Sequence, residues 1–221
     1  MTEFSHNGGP PPLRRVAITG IGCITPIGTG VEALWKGLRR RESAVQRIDR
    51  FDPSPFRSHI AAQVNEFEPT DYMDRNRARR TERYAQFSIA SARLALADAT
   101  LDPASVDPDR AGVLIGSALG GVAYGENQFT SYVHKGVRGV DPMLALAVFN
   151  GASSCNVAIE FGFTGPNSTN AMSCASGTVP APAVPQPLVQ RVIGVWRTEG
   201  TGAIVRRAIG RVFGRQRRPS A

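Results

Sequence analysis

Residues 165–177 have the sequence GPNSTNAMSCASG, in which a predicted strand at 167–173 runs directly into Cys174. The small residues at 175–177 are suited to begin a helix, whose first N–H groups are unpaired and carry about half a positive charge. Such a position favours the thiolate, the nucleophilic form of cysteine, and its N–H groups can bind the oxyanion of a thioester under attack. The pattern therefore predicts that Cys174 is a nucleophile that accepts an acyl group. The alternative is a buried and inert cysteine, the commoner role of this residue type.

Two glycine-rich segments precede this one along the chain. Residues 16–22 have the sequence VAITGIG, and residues 112–121 have the sequence GVLIGSALGG. Together with the Gly-Pro and Ser-Cys-Ala-Ser-Gly elements around Cys174, they resemble the β-ketoacyl-acyl carrier protein synthases, and most of all the elongating condensing enzymes of fatty acid synthesis. The resemblance covers residues 13–178, and several motifs in the family's order are more specific than any single one.

The resemblance implies an activity and a site. An acyl group would move from the phosphopantetheine of acyl carrier protein onto Cys174. Malonyl-acyl carrier protein would then lose carbon dioxide, and the carbanion would attack the acyl-cysteine to give a 3-oxoacyl product. The resemblance also implies Leu119 beside the acyl pocket, a homodimer paired through the strand before the cysteine, and no metal or free cofactor. A polyketide-type ketosynthase is the alternative within the same chemistry.

Alternating strand and helix patterns predict an α/β fold. The resemblance implies the thiolase-like layered fold, of which this chain covers an incomplete N-terminal half. Strands are predicted at residues 14–21, 59–64, 111–117 and 167–173. Helices are predicted at residues 30–40 and 79–99, an apolar helical segment at 143–163, and a helix or irregular segment at 124–134.

Individual residues in these segments carry further predictions. Cys155, in the apolar helical segment, is predicted to lie in the core. Arg79, Arg80 and Arg83 are predicted to lie at the N-terminal end of one long helix, the unfavourable end for positive charge. They form either a docking surface for an acidic carrier protein or a solvated face.

The composition limits the classes of partner and compartment. The 221-residue chain has a net charge of +8, but residues 179–221 contain eight arginines against one acidic residue, Glu199. The rest of the chain, residues 1–178, is nearly neutral, which argues against a nucleic-acid partner.

Three widely spaced cysteines without a Cys-x-x-Cys pair argue against a disulfide framework or a zinc site. The sequence has neither the pattern of a signal peptide nor an apolar stretch of membrane length, so we expect a cytoplasmic protein.

The chain departs from the family's pattern after Thr178. Prolines stand where the family continues into a buried helix, and each costs about 3 kcal/mol in a helix interior. These prolines are Pro180, Pro182, Pro185 and Pro187. The family also uses two histidines and a supporting lysine from its second half to polarise the malonyl thioester. The histidines and lysines of this chain match neither motif; they are His6, His59, His134, Lys36 and Lys135. We therefore expect that this chain alone, as a truncated form, is inactive in the condensation.

Three parts are predicted: a flexible leader at 1–12, the synthase-like domain at 13–178, and a basic tail at 179–221 rich in arginine, proline and glycine. The composition of the tail is typical of GC-rich codons in a shifted reading frame, so we interpret it as a frameshift near Thr178. One alternative is a real basic amphipathic module that binds anionic membrane, although membrane binding is not the favoured interpretation. The other is a non-catalytic partner or scaffold of a full-length synthase.

Overall fold

The computed structural model describes residues 17–177, and the predictions for the leader and for the chain after Gly177 lie outside this range. The strands are β1 (Ile24–Thr25), β2 (Gly28–Thr29), β3 (Val45–Arg47), β4 (Ile60–Ala62), β5 (Val113–Gly116) and β6 (Asn167–Asn170). The α-helices are α1 (Val31–Arg40), α2 (Arg75–Arg80), α3 (Arg83–Asp98), α4 (Val122–Lys135), α5 (Leu144–Val148) and α6 (Ala152–Phe161). The mixture of strands and helices confirms the predicted α/β class.

A parallel pair of strands lies at the centre of the structure. β5 pairs with β6 in a register that runs from Val113 opposite Asn167 to Gly116 opposite Asn170. The connection between the two strands contains α4, α5 and α6, as expected because parallel strands need a long crossover that is usually helical. α6 packs against both strands and against α3. The strand predicted at 111–117 is therefore confirmed in its central part, and the strand predicted at 167–173 is confirmed in its first four residues.

The main core lies between this strand pair, α3 and α6. Along β5 the side chains alternate, with Val113 and Ile115 buried and the residues between them half-buried, as a strand packed on one face requires. Ile89 of α3 and Val157 of α6 are buried in the same cluster. The other buried members are Met73, Ala92, Ala111, Ala158 and Phe163.

The single helix predicted at 79–99 is wrong, because the chain forms α2 and α3 with a break at Thr81 and Glu82. Thr81 is extended (φ −109°, ψ 130°), and the Glu82 carboxylate accepts a hydrogen bond from the Tyr84 N–H at 2.7 Å, which caps α3. The Gln86 side-chain amide donates to two carbonyls at the end of α2, at 2.8 and 2.9 Å. The break therefore satisfies the backbone groups that it exposes.

This break corrects the placement of the arginines. Arg79 and Arg80 lie in the last turn of α2, where positive charge is favourable for the helix dipole. Arg83 begins α3 but is directed inward: it donates to the Val64 carbonyl at 2.6 Å, and its guanidinium lies 4.8 Å from the centre of the Phe87 ring. Burial lowers the pKa of Arg83 from its ordinary value. Of these three arginines, only Arg79 and Arg80 are available as surface charges.

The strand predicted at 14–21 is wrong within the described residues, because residues 17–23 form no strand. This segment packs instead on the backbone of α3. A Cβ on Gly22 would lie 1.9 Å from the carbonyl oxygen of Ser91, so only glycine allows the approach. A strand needs a neighbour that satisfies its backbone groups, and none of the described strands pairs with this segment.

Two helices occupy the apolar segment predicted at 143–163, and Cys155 is not in the core. The Cys155 side chain is exposed on α6. Its neighbours Ser154 and Val157 are buried, because α6 presents one face to the strands and the opposite face to solvent. α6 ends at Gly162, whose φ of +70° ends the helix in the left-handed conformation.

The other predicted elements are confirmed with adjusted boundaries. The helix at 30–40 is α1, the segment at 124–134 lies within α4, and the strand at 59–64 is β4. β4 pairs antiparallel with β3, which the sequence pattern did not indicate. Among the helices of residues 17–177, none combines the length and the apolar character that a membrane crossing requires.

Candidate active site

Two segments follow the carboxyl ends of β5 and β6 and meet at one edge of the strand pair. Ser117–Gly121 follows β5, and Ala171–Gly177 follows β6. Because the strands are parallel and in register, both segments lie at the same edge, the usual position for functional residues in α/β folds. The two predicted site residues, Leu119 and Cys174, are in these two segments. The topology thus brings the segments of both residues together.

Cys174 is the second residue of a five-residue 3₁₀ helix, Ser173–Gly177. Cys174 is an exposed residue, whereas the alternative of an inert core cysteine requires burial. Ser173 before it has φ of +52°, a left-handed conformation that is uncommon for residues other than glycine. The chain turns sharply at this residue, and the thiol follows directly after the turn.

Ser117 connects the two segments that follow β5 and β6. It is 3% exposed, and its N–H donates to the Asn170 carbonyl at 2.9 Å. The Ser176 hydroxyl donates to the Ser117 carbonyl at 3.1 Å, and the Gly120 N–H donates to the Ser117 Oγ at 3.1 Å. One buried residue therefore contacts the end of β6, the segment of Cys174 and the turn of Leu119.

Leu119 lies at the tip of a tight turn and is 68% exposed. The turn depends on Gly120, which has φ of +56° and whose Cβ would lie 2.2 Å from the Asn150 side-chain oxygen. The Gly121 N–H donates to the Val148 carbonyl at 3.3 Å and so ties the turn to α5. The Leu119 side chain is presented to solvent at the start of α4.

Hydroxyl groups anchor β6 to the helices behind it. The Thr169 hydroxyl donates to the Ser154 Oγ at 2.8 Å, and the Ser154 hydroxyl donates to the Gly151 carbonyl at 3.1 Å. On the other side of α6, the buried Ser153 hydroxyl donates to the Ser88 Oγ of α3 at 2.6 Å. Such satisfied buried polar contacts fix the relative position of packed elements. The strand that leads to Cys174 is held by this chain of contacts.

The described histidines and lysines are not in these two segments but in other parts of the chain. His59 stands directly before β4, and its Nε2 lies 2.8 Å from the Phe56 carbonyl oxygen. His134 and Lys135 are in the last turn of α4, and Lys36 is on α1. Within residues 17–177, no group of three or more histidine, cysteine, aspartate or glutamate side chains is arranged to hold a metal ion.

An apolar groove runs between α4 and α5. Its volume is about 420 Å³, and its lining includes Phe129, Tyr132, Leu144 and Val148. Phe129 is largely exposed, and so is Leu146 beyond the groove.

The sequence-based reasoning missed the roles of Ser117 and Ser176, although both lie in the quoted motifs. The signal was a serine at the end of the apolar strand that is predicted at 111–117. A hydroxyl in such a place needs a partner within the protein, and a neighbouring segment is the nearest source. The role of Ser154 had no comparable signal, because its contact with Thr169 depends on how α6 packs against β6.

Comparisons with known proteins agree with this architecture. The family model described as Beta-ketoacyl synthase, N-terminal domain, matches residues 13–192. This range extends past Thr178, where the sequence pattern predicted the resemblance to end. The chain is 35% identical over 165 residues to 3-oxoacyl-[acyl-carrier-protein] synthase 2 of Staphylococcus aureus (strain COL), covering 75% of this chain and 40% of that protein.

Two solved structures share the fold. The ishigamide ketosynthase/chain length factor matches with a TM-score of 0.66 and 31% identity, covering 71% of this chain and 39% of that chain. A beta-ketoacyl synthase from Burkholderia phymatum STM815 matches with a TM-score of 0.62 and 25% identity, covering 75% of this chain and 41% of that chain. The chain spans about 40% of the length of the curated relatives that it matches. The predicted thiolase-like fold is confirmed by these similarities.

Proposed function

This chain belongs to the β-ketoacyl synthase family, and we propose that it carries the acyl-accepting part of a 3-oxoacyl-[acyl-carrier-protein] synthase. The observation that supports this most is the exposed residue Cys174, which follows the turn after β6 in the segment whose Ser176 binds the Ser117 carbonyl, two residues before Leu119. An acyl thioester can approach an exposed thiol, and a neighbouring apolar side chain suits an acyl chain. In this proposal Cys174 is the catalytic nucleophile and Leu119 contacts the acyl chain.

The proposed reaction has two steps. In the first, Cys174 Sγ attacks the thioester carbonyl of acyl-acyl carrier protein; a new carbon–sulfur bond forms, and the phosphopantetheine thiol leaves with the proton. In the second, malonyl-acyl carrier protein loses carbon dioxide, and the electron pair left on its methylene carbon attacks the acyl carbonyl. The bond to Cys174 breaks, the thiolate takes up a proton, and 3-oxoacyl-acyl carrier protein is released.

We propose that the 221-residue chain supports the first step but not the second by itself. Decarboxylation requires donors to the malonyl thioester oxygen, because negative charge develops there. His59 lies before β4, and His134 lies in the last turn of α4, so neither is in the two segments that follow β5 and β6.

We also propose a cytoplasmic location, since free thiols at Cys23, Cys155 and Cys174 suit a reducing compartment.

Mass spectrometry of the purified full chain tests the first step. After incubation with an acyl-pantetheine thioester, we expect one acyl group per chain, located on Cys174 by peptide mapping and absent in Cys174→Ala. Cys155 is a matched control, since it is also a free and exposed thiol but lies on α6. Cys155→Ala should be acylated like the wild type. Equal labelling of the two cysteines, or none on Cys174, would contradict the proposal.

A carrier-protein partner is supported by exposed positive charge on α2. Arg75, Arg79 and Arg80 are exposed, whereas Arg77 donates to the Asn156 carbonyl at 2.7 Å and pairs with Glu160. An acidic carrier protein would be attracted to such a surface, which steers association without fixing its affinity. A solvated face without a partner is the competing interpretation.

A homodimer is supported by the free edge of β6. Among the described strands, β6 pairs with β5 alone, so its second edge has no strand partner. Exposed edges of this kind are available for pairing with another chain. Sedimentation velocity of the full chain at several concentrations should give a dimer, and a monomer at every concentration would contradict this part of the proposal.

A polyketide-type ketosynthase is the second candidate. It is favoured by the ishigamide ketosynthase/chain length factor, which is 31% identical to this chain. Both candidates use the same cysteine chemistry, so acylation of Cys174 does not separate them. The acyl donor does: preference for a straight saturated chain over a polyketone chain of equal length supports the fatty acid assignment, and the reverse preference supports the polyketide one.

A further inference from the structure

Ser117 is the one described residue whose three polar groups each reach a different part of the candidate site. Its N–H binds the Asn170 carbonyl at the end of β6, its Oγ accepts from Gly120, and its carbonyl accepts from Ser176. At 3% exposure, water cannot replace these partners. The relative position of the Leu119 turn and the Cys174 segment is therefore set largely through this residue.

The surroundings of Ser117 leave the two segments little freedom to adjust. A Cβ on Gly116 would lie 2.5 Å from the Ser176 carbonyl oxygen, so the Cys174 segment lies directly against β5. The Asn150 side-chain oxygen is buried and, among the described residues, has no hydrogen-bond partner, so it gives no polar support to the turn. The Ser117 hydroxyl is thus the side chain that holds the Gly120 N–H.

We propose that Ser117 is a positioning residue that holds Leu119 at a set place relative to Cys174 and thereby sets the preference for acyl-chain length. This inference rests on the proposed function, because it takes Cys174 as the acyl acceptor and Leu119 as a contact of the acyl chain. Ser117 touches neither the thiol nor the acyl chain; it acts through Gly120 and Ser176. A long acyl chain, which reaches Leu119, depends on this support, whereas an acetyl group does not.

Acylation of Cys174 in the full chain by acetyl- and decanoyl-pantetheine tests the proposal. Ser117→Ala removes the acceptor of the Gly120 N–H. We expect the decanoyl donor concentration for half-maximal rate to rise about three- to tenfold, the effect of losing one neutral hydrogen bond. The corresponding acetyl concentration should stay within about twofold of wild type.

The variants Ser117→Thr and Ser117→Val test whether the hydroxyl or the size of the side chain matters, because threonine and valine have the same size and only threonine has a hydroxyl. The threonine variant should retain the chain-length preference, and the valine variant should lose it. Ser105→Ala, an exposed serine in a turn, is the control and should match wild type.

The outcomes separate this inference from the proposed function. An equal loss for both donors in Ser117→Ala, or equal behaviour of the threonine and valine variants, would overturn the positioning role. If wild-type Cys174 is not acylated, the proposed function fails and the chain-length claim fails with it. Hydrogen exchange then decides the positioning claim alone: faster exchange of residues 118–121 in Ser117→Ala, with α3 unchanged, supports it, and unchanged exchange of the turn overturns it.

Discussion

The Glu160 Oε2 lies 3.0 Å from the Arg77 Nε, which makes an ion pair between α6 and α2. The other oxygen of Glu160 binds a terminal nitrogen of Arg93 on α3. Arg93 also donates to the Tyr72 carbonyl at 2.6 Å. The Glu160 side chain is 12% exposed and the Arg93 side chain 45%, so Glu160 joins three helices through ion pairs that are only partly shielded from solvent. These contacts hold α6, the helix behind the candidate site.

Replacement of this carboxylate should destabilise the fold. Glu160→Gln keeps the shape but leaves two arginines without their counter-charge, and we expect a loss of about 2–3 kcal/mol in the free energy of unfolding. Urea unfolding followed by circular dichroism measures it. Glu126→Gln on the exposed side of α4 is the matched control and should change the value by less than about 0.5 kcal/mol. Similar values for the two variants would show that the ion pairs do not stabilise the fold.

The core between α3 and α6 should be the most sensitive part of the described chain. Ile89→Ala removes a side chain that is 0% exposed, and we expect a loss of about 2–5 kcal/mol, because a cavity remains where the methylene groups were. Ile159→Ala makes the same kind of truncation at a residue that is 69% exposed on α6, and should cost far less. Urea midpoints of the two variants decide the matter. A smaller shift for Ile89→Ala than for Ile159→Ala would mean that the core lies elsewhere.

The close approach of β5 to the Cys174 segment gives a prediction about the site itself. A methyl group on Gly116 would lie 2.5 Å from the Ser176 carbonyl oxygen, so Gly116→Ala must push the segment away. We expect Cys174 acylation to fall at least about tenfold and stability to fall by about 1–3 kcal/mol, the usual cost of overpacking. Gly177→Ala is the control in the same segment, because a Cβ there has nothing within 4 Å. Acylation rates of both variants, with peptide mapping to Cys174, test this; normal acylation in Gly116→Ala would contradict the described packing.

The sequence predicted those elements whose signal is local, and failed where tertiary contacts decide. The strand at 111–117 and the helix at 30–40 were found from apolar spacing alone. The break at Thr81 was missed, because it depends on Glu82 and Gln86 acting as caps, and both fit a helix pattern equally well. The exposure of Cys155 was missed because an apolar helix does not reveal which face meets the strands.

The site divides in the same way. Cys174 and Leu119 were located by motif order, and both lie in segments that meet at one edge of the strand pair. The contacts that join these segments were not predictable, since Ser117 and Ser176 are 59 residues apart in sequence. Only the parallel pairing of β5 with β6 brings them together.

The exposed arginines of α2 allow a test of carrier-protein docking. Reversing charge in Arg79→Glu/Arg80→Glu should slow acylation of Cys174 by an acyl carrier protein about tenfold or more at low salt, because electrostatic steering is lost. Acylation by the uncharged acyl-pantetheine should be unchanged, and added salt should reduce the difference between variant and wild type. Arg138→Glu, another exposed arginine in the turn after α4, is the control. Equal rates with the carrier-protein donor in wild type and the double variant would favour the solvated face.

The hydrogen-bonded pair of Tyr124 and Asp141 makes stability depend on pH. The Tyr124 hydroxyl donates to the Asp141 Oδ2 at 2.7 Å, and burial together with this carboxylate raises the pKa of Tyr124 to about 12. Because the folded-state pKa is above the ordinary value of 10.0, the contribution of this group to stability is complete below about pH 10 and is lost as the pH rises through 12. The pKa of Asp141 is lowered, first by the Met143 N–H and then by Tyr124, so its contribution is lost only as the pH falls below the ordinary carboxyl range.

Absorbance of tyrosinate tests the alkaline half of this statement. The titration of wild type minus that of Tyr124→Phe should show a single step near pH 12, and Asp141→Asn should move the step to lower pH because the negative charge is removed. A step for Tyr124 at the ordinary tyrosine pKa of 10.0 would mean that the hydrogen bond to Asp141 does not form in solution. The start of α5 would then still be held by the N–H groups of Met143 and Leu144, which donate to the Asp141 carboxylate and carbonyl.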